Sequence, residues 1–165
     1  MSARIVAPGA IWSAAWEHLS LAPERVCFLL AQYQSAARTF EVFDWRPVAS
    51  TDDGGWVVEL DDLTRAGVVA WATDQGACLV EAHSHGGDRP PAFSKLDLEE
   101  FDEWVPHVRW RLGGRPYAAI VTSSTAIDAL AWTTDTGAPE AVTALEADTS
   151  WPASGSTIRS MEAGS

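Results

Sequence analysis

The residues best suited to chemistry in this 165-residue chain fall within one stretch, Glu81-Ala-His83-Ser-His85-Gly-Gly-Asp-Arg-Pro-Pro-Ala-Phe-Ser94-Lys-Leu-Asp97. Side chains at i and i+2 of a strand share a face, so a strand ending here sets His83 beside His85. Leu79 and Glu81 lie on that face, while Cys78, Val80, Ala82 and Ser84 take the other. Two imidazoles at a strand's C-terminal end can grip one divalent ion, and a catalytic zinc site completes its protein ligands with a third donor and keeps a position for water. Taken alone, His-x-His also describes two surface histidines. Likewise Ser94-x-x-Asp97 ahead of Leu98, Phe101 and Val105 describes an ordinary helix cap with an acidic residue at N3. The combination says more. A helix starting a few residues after the strand can carry Asp97 back over His83 and His85, and its first turn places Ser94 and backbone N–H groups beside an anion formed there.

A hydrolytic zinc site also needs a base that takes a proton from water and returns it to the leaving amine. Glu81 is the local candidate, on the histidine face. Glu24 is the remote one, directly before the apolar run Arg25-Val-Cys-Phe-Leu-Leu-Ala31. A carboxylate at the mouth of a core strand is partly desolvated, which suits proton transfer. Glu24 can equally be a solvated residue ending the loop after Pro23, and the residues themselves leave the choice open.

The elements that must position these groups follow from periodicity. Residues 11–19 read as a helix with Ile11, Ala15 and Leu19 on one stripe, stopped by Pro23. Residues 25–32 have the length of a buried strand. Residues 39–47 alternate, with Phe40 and Val42 on one face before the apolar register switches to Phe43 and Trp45; the two runs can pair as a hairpin across residues 34–37. Gly54-Gly55 marks a turn, and residues 56–60 form a further strand candidate. Asp61 or Asp62 caps a helix that runs to about Gln75, with Gly76 as its stop. A strand over 77–85, a loop over 86–93, and a helix from Ser94 that kinks or restarts at Pro106 come next. Residues 117–122 and 126–133 read as the final strands. This order gives a mixed α/β class, a central mixed sheet flanked by helices. Residues 1–149 form the domain, and 150–165, rich in Ser, Gly and Ala, are expected to be a flexible tail around Trp151.

Glu24 before a buried strand, then His83-x-His85, then Ser94-x-x-Asp97, resembles the JAB/MPN metalloprotease family and its JAMM motif, in particular its bacterial deubiquitinase-like members. The resemblance implies an MPN/JAB-like fold and assigns zinc to His83, His85 and Asp97, oxyanion support to Ser94 and proton transfer to Glu24 rather than Glu81. It implies a zinc isopeptidase or peptidase that cleaves after the C-terminal tail of a ubiquitin-like protein, from a conjugate or a precursor, with E1- and E2-like proteins of the same pathway among its partners. The alternatives are a sulfur-carrier protein as substrate, or a catalytically inactive scaffold of the same type that binds protein partners. Three positions depart from the family pattern. Gly86 stands where Pro usually follows the second His, the loop of eight residues between His85 and Ser94 is one longer, and Val26, Cys27 and Ala31 replace the usual Cys, Gly and closing Gly.

Composition narrows the field. Eleven Lys and Arg against 23 Asp and Glu give a formal charge of −12, which argues against a basic nucleic-acid footprint. No apolar run approaches the roughly 18 residues of a spanning helix, and the N-terminal stretch is interrupted by Pro8 and Gly9, so a cytoplasmic protein without membrane contact is expected. Cys27 and Cys78 sit in apolar runs and read as buried thiols. The acidic run 97–103 suits a helix N-terminus. Most of the nine tryptophans are packing residues, with Trp104 or Trp56 as candidates to line a substrate groove.

Overall fold

The computed structural model describes residues 2–49 and 60–165. The first half of the chain runs β1 (Ala3–Val6), α1 (Gly9–Leu19), β2 (Val26–Gln34), β3 (Thr39–Pro47) and α2 (Asp62–Gln75). The second half runs β4 (Cys78–Ser84), α3 (Lys95–Arg111), β5 (Tyr117–Thr122), β6 (Ile127–Trp132), β7 (Glu140–Glu146), β8 (Ser150–Pro152) and α4 (Ser156–Ala163). The expected Gly54-Gly55 turn and the strand from Trp56 fall outside the described residues, apart from Leu60, which is not in a strand.

The hairpin of β2 and β3 forms as the sequence indicates, and its irregularity has a local cause. Leu30 pairs with Asp44 and Ala31 with Val42, so Phe43 is an extra residue in β3. A bulge of this kind re-aims the side chains beyond it, and it coincides with the switch from Phe40 and Val42, both buried, to Phe43, which is exposed. Beyond the hairpin, β4 pairs antiparallel with β2 and parallel with β5, and β5, β6 and β7 continue antiparallel.

The sheet then closes. β1 pairs in parallel with both β3 and β7, giving a seven-stranded barrel in the order β1-β3-β2-β4-β5-β6-β7, with β8 added on β7. This corrects the expected α/β arrangement of a central mixed sheet flanked by helices, and with it the resemblance to the JAB/MPN (JAMM) family and its MPN/JAB-like fold: a closed barrel is a different architecture. The reason lies in β1 and β7. β1 has only four residues, too few for a recognisable period, yet Ala3 and Ile5 are fully buried. Its partners lie more than thirty residues away on one side and at the far end of the chain on the other, and such pairing leaves no local signal.

Two apolar layers hold the barrel. Its interior holds Ile5, Leu29, Phe40, Val80, Ile120 and Leu145, and Trp12, Ala15 and Leu19 of α1 pack against it. The outer face of β2, β4 and β5 is covered by Val68, Val69 and Ala72 of α2 and by Phe101, Val105 and Val108 of α3. Strands buried on both faces read as continuous apolar runs, which is why these three were recognisable. α3 runs unbroken through Pro106, which is exposed; the helix is kept by its packed face despite the backbone bond proline removes. Residues 150–165, expected as a flexible tail, instead carry β8 and α4. The buried Asp128 carboxylate ties them down by accepting from the Gly155 and Thr157 amides at 2.9 and 3.0 Å and from the Thr157 hydroxyl at 2.6 Å. Among the described residues no helix is long and apolar enough to cross a membrane.

Candidate metal centre

β4 ends with Glu81 and His83 on the face under α3, and His85 follows as the chain leaves the strand, its amide donating to the Thr122 carbonyl at 2.8 Å. Ser94 caps α3. Its Oγ accepts from the Asp97 amide at 3.1 Å, and Asp97 Oδ2 accepts from the Ser94 amide at 2.7 Å. The reciprocal cap fixes the Asp97 rotamer. Cap and candidate ligand are therefore one structure, not competing readings of one motif.

His83, His85 and Asp97 come together as the sequence spacing predicts. Nε2 of His83 lies 3.2 Å from Nε2 of His85, and Asp97 Oδ2 lies 3.4 Å from the first and 3.3 Å from the second. The three donor atoms converge closely enough to face one metal ion. The edge of Phe93 packs on the His83 ring at 5.5 Å between centroids and restricts its rotation.

The charges are coupled. Burial disfavours the Asp97 carboxylate, but hydrogen bonds from His83 and His85 and the charge of His83 outweigh it and hold Asp97 well below the usual carboxylate range. Burial likewise disfavours the His83 cation, yet the Asp97 hydrogen bond and the charges of Glu81, Asp97 and Glu24 raise its pKa above the ordinary imidazole value. Glu81 is pushed up by burial, with His83 and Tyr117 partly opposing. Cys27 and Cys78 are free and buried, and burial pushes their thiols up to about 12 and about 11, so neither offers a thiolate nucleophile.

Glu24 reaches the site from the segment that precedes β2. Val26 pairs with His83, the Ser84 amide donates to the Arg25 carbonyl, and the Arg25 amide donates to Ser84 Oγ at 2.9 Å. Continuing that antiparallel register sets Glu24 opposite His85. Glu24, Ser94 and the three candidate ligands line one cavity of about 310 Å³, with Trp104 in its wall. An apolar groove of about 510 Å³ along Leu19, Leu21, Pro23, Gly86 and Gly87 meets this cavity at Glu24, Ser84 and His85. Glu81 is placed differently. Its Oε1 lies 3.9 Å from Nδ1 of His83, on the side of the ring away from the donor triangle. Its Oε2 accepts from the Tyr117 hydroxyl at 2.8 Å, and that oxygen accepts from the Trp104 indole at 2.9 Å. Tyr117 escaped the sequence reading. The one available signal was a tyrosine opening a fully apolar strand, because a buried hydroxyl needs a polar partner.

No protein-family model and no curated protein matches the chain. Among solved structures it is similar to the solution structure of protein DSY2949 from Desulfitobacterium hafniense, a structural-genomics target, at 15% identity and a TM-score of 0.52, covering 88% of this chain and 94% of that one. The likeness is one of fold, and the JAMM family assignment has no support beside it.

Proposed function

We propose that this protein is a zinc-dependent hydrolase of peptide or isopeptide bonds. The observation that carries the reading is the convergence of donor atoms from His83, His85 and Asp97 on one point, with the carboxylate aimed by the Ser94 cap. A zinc ion held there would act as a Lewis acid and lower the pKa of water.

The protein's own groups supply the rest. Glu24 takes a proton from the attacking water on a carboxylate oxygen and returns it to the leaving amine nitrogen. Ser94 Oγ already accepts the Asp97 amide, so its hydrogen is free to donate to the oxyanion that develops on the scissile carbonyl. The join between the cavity and the apolar groove at Glu24 and His85 favours an extended peptide chain lying across the site as the substrate.

The test pairs metal analysis of protein purified without chelator with cleavage of an extended peptide substrate. About one zinc per chain is expected in the wild type and little in His85→Ala, with cleavage lost on chelation and restored by zinc. Equal metal in both proteins would refute the ligand set, and zinc without cleavage of any amide substrate would leave a binding scaffold instead.

A further inference from the structure

Arg65 stands apart among the residues that line the cavity with the donor triangle. It belongs to α2, and its guanidinium carbon lies 5.2 Å from the centroid of the Trp104 ring on α3. The Trp104 indole N–H donates to the Tyr117 hydroxyl oxygen at 2.9 Å, and Tyr117 is fully buried, so the ring beneath the cation is held in place. An arginine keeps its charge and can only donate hydrogen bonds. Yet no ion pair among the described residues includes Arg65, and its buried Nε has no hydrogen-bond partner among them. Acids are not scarce: the chain has 23 against 11 basic residues, Glu100 lines the same cavity, and Asp62 and Glu103 line the adjoining hollow. A cation held over an aromatic ring without one of them has donors to spare for a ligand.

We propose that Arg65 is a specificity-determining residue that takes a carboxylate carried by the substrate. The proposal rests on the reading of this cavity as a site of peptide hydrolysis, and it adds the class of peptide the site accepts. The Trp104 platform pre-organises the guanidinium, and a carboxylate is the anion that its planar donors match. Leu60, Phe101 and Trp104 in the same wall surround the group with apolar surface, where such a bond is stronger than in water. The charge balance selects a monoanion. Glu24 and Glu100 line the cavity as well, so a dianion such as phosphate meets repulsion that one guanidinium does not offset.

The placement of Arg65 also orders the substrate along the site. The apolar groove meets the cavity at Glu24, Ser84 and His85, whereas Arg65 and Trp104 line the cavity and not the groove. A chain lying along Leu19, Leu21 and Pro23 therefore passes His85 before its carboxylate meets Arg65. Apolar residues fall on one side of the scissile bond and the carboxylate on the other. A free C-terminus and an acidic side chain present the same monoanion there.

Isothermal titration of the metal-free protein, in which no ion can capture the carboxylate, tests this with three probes. They are acetylated tetra-alanine as the free acid, the same peptide as its terminal amide, and an amidated form whose last residue is glutamate. The wild type should bind at least one of the two acids roughly 10- to 100-fold more tightly than the neutral amide, the range of a charge-assisted hydrogen bond. The tighter acid identifies the source of the carboxylate. Arg65→Gln should abolish the preference and leave the affinity for the neutral amide unchanged. In nitrogen-15 NMR the Arg65 Nε–H and Trp104 indole signals should shift on addition of the preferred acid and not of the amide. Equal binding of acids and amide, binding of none of the three, or a preference that survives Arg65→Gln overturns the proposal. The acid-against-amide comparison is made on the wild type, so it stands even if the variant is unstable. An Arg65-dependent preference in a protein that takes up no zinc sinks the hydrolase reading and leaves the carboxylate site standing. Zinc-dependent cleavage that is equal for acid and amide substrates does the reverse.

Discussion

Asp97 Oδ2 accepts the backbone amide of Ser94 at 2.7 Å and lies within 3.4 Å of both His83 and His85 Nε2, so one oxygen atom joins the start of α3 to the end of β4. The capping geometry aims the carboxylate. This makes the helix start part of the candidate metal site and gives its variants two readouts.

Ser94→Ala should separate those readouts. Loss of the hydroxyl acceptor for the Asp97 amide should cost about 1 kcal/mol of stability. Loss of its free hydrogen should lower turnover by on the order of 10²-fold, as with other lost oxyanion donors. Thermal melts and single-substrate kinetics check both. Lower stability with intact turnover would leave Ser94 as a cap alone.

Glu24→Gln should keep fold and zinc while removing most cleavage, because the amide cannot accept the proton. At saturating zinc, Glu81→Gln should keep far more turnover than Glu24→Gln. Parallel measurement of zinc content and cleavage for the two variants decides; normal cleavage by Glu24→Gln with loss in Glu81→Gln would move the base to Glu81.

Metal-free protein should be most stable in mildly acidic solution. His83 has a folded pKa raised above its ordinary 6.5, so its contribution is full below that value and lost as pH rises through the folded one. Buried Glu81, also raised, loses stability in the same direction. Asp97 is lowered, so its contribution is present above the ordinary carboxylate range and lost only as pH falls through its folded value. Denaturant titrations between these limits should show stability falling on the alkaline side, and zinc, which displaces the His83 proton, should remove that fall. A flat profile in the metal-free protein would contradict the ion-pair account.

Thr157→Val probes how the C-terminal segment supports the site. The Thr157 hydroxyl donates to Asp128 and accepts the Phe93 amide at 3.0 Å, one residue before the Ser94 cap. Removing it leaves a buried amide and a buried carboxylate each short of a partner, at about 1–3 kcal/mol. Zinc affinity should fall with stability, since Phe93 also packs on His83. A stability loss with unchanged zinc affinity would confine α4 to a purely structural role.

The candidate site was legible because its information is local. The i, i+2 spacing of His83 and His85 needs only a strand, and the three-residue step from Ser94 to Asp97 needs only a helix start. Bringing the two together needs only a short loop. Glu24 was legible as a candidate because it directly precedes the strongest apolar run, whose pairing with β4 then sets it beside His85. The bulge at Phe43 was written in the switch of the apolar register.

What tertiary structure alone decided is the closure of the barrel and the burial of Glu81 against Tyr117. Barrel closure depends on four-residue β1 meeting nine-residue β3 and seven-residue β7 in parallel, contacts far apart in the chain that no periodicity records. Glu81 is held by Tyr117 and Trp104, which arrive from β5 and α3, whereas Glu24 lines the cavity from the segment before β2. Hydrophobic patterning specifies which face of an element is buried, and capping specifies where a helix begins. Neither specifies the distant partner across the interface, because that contact is fixed only when the whole core packs.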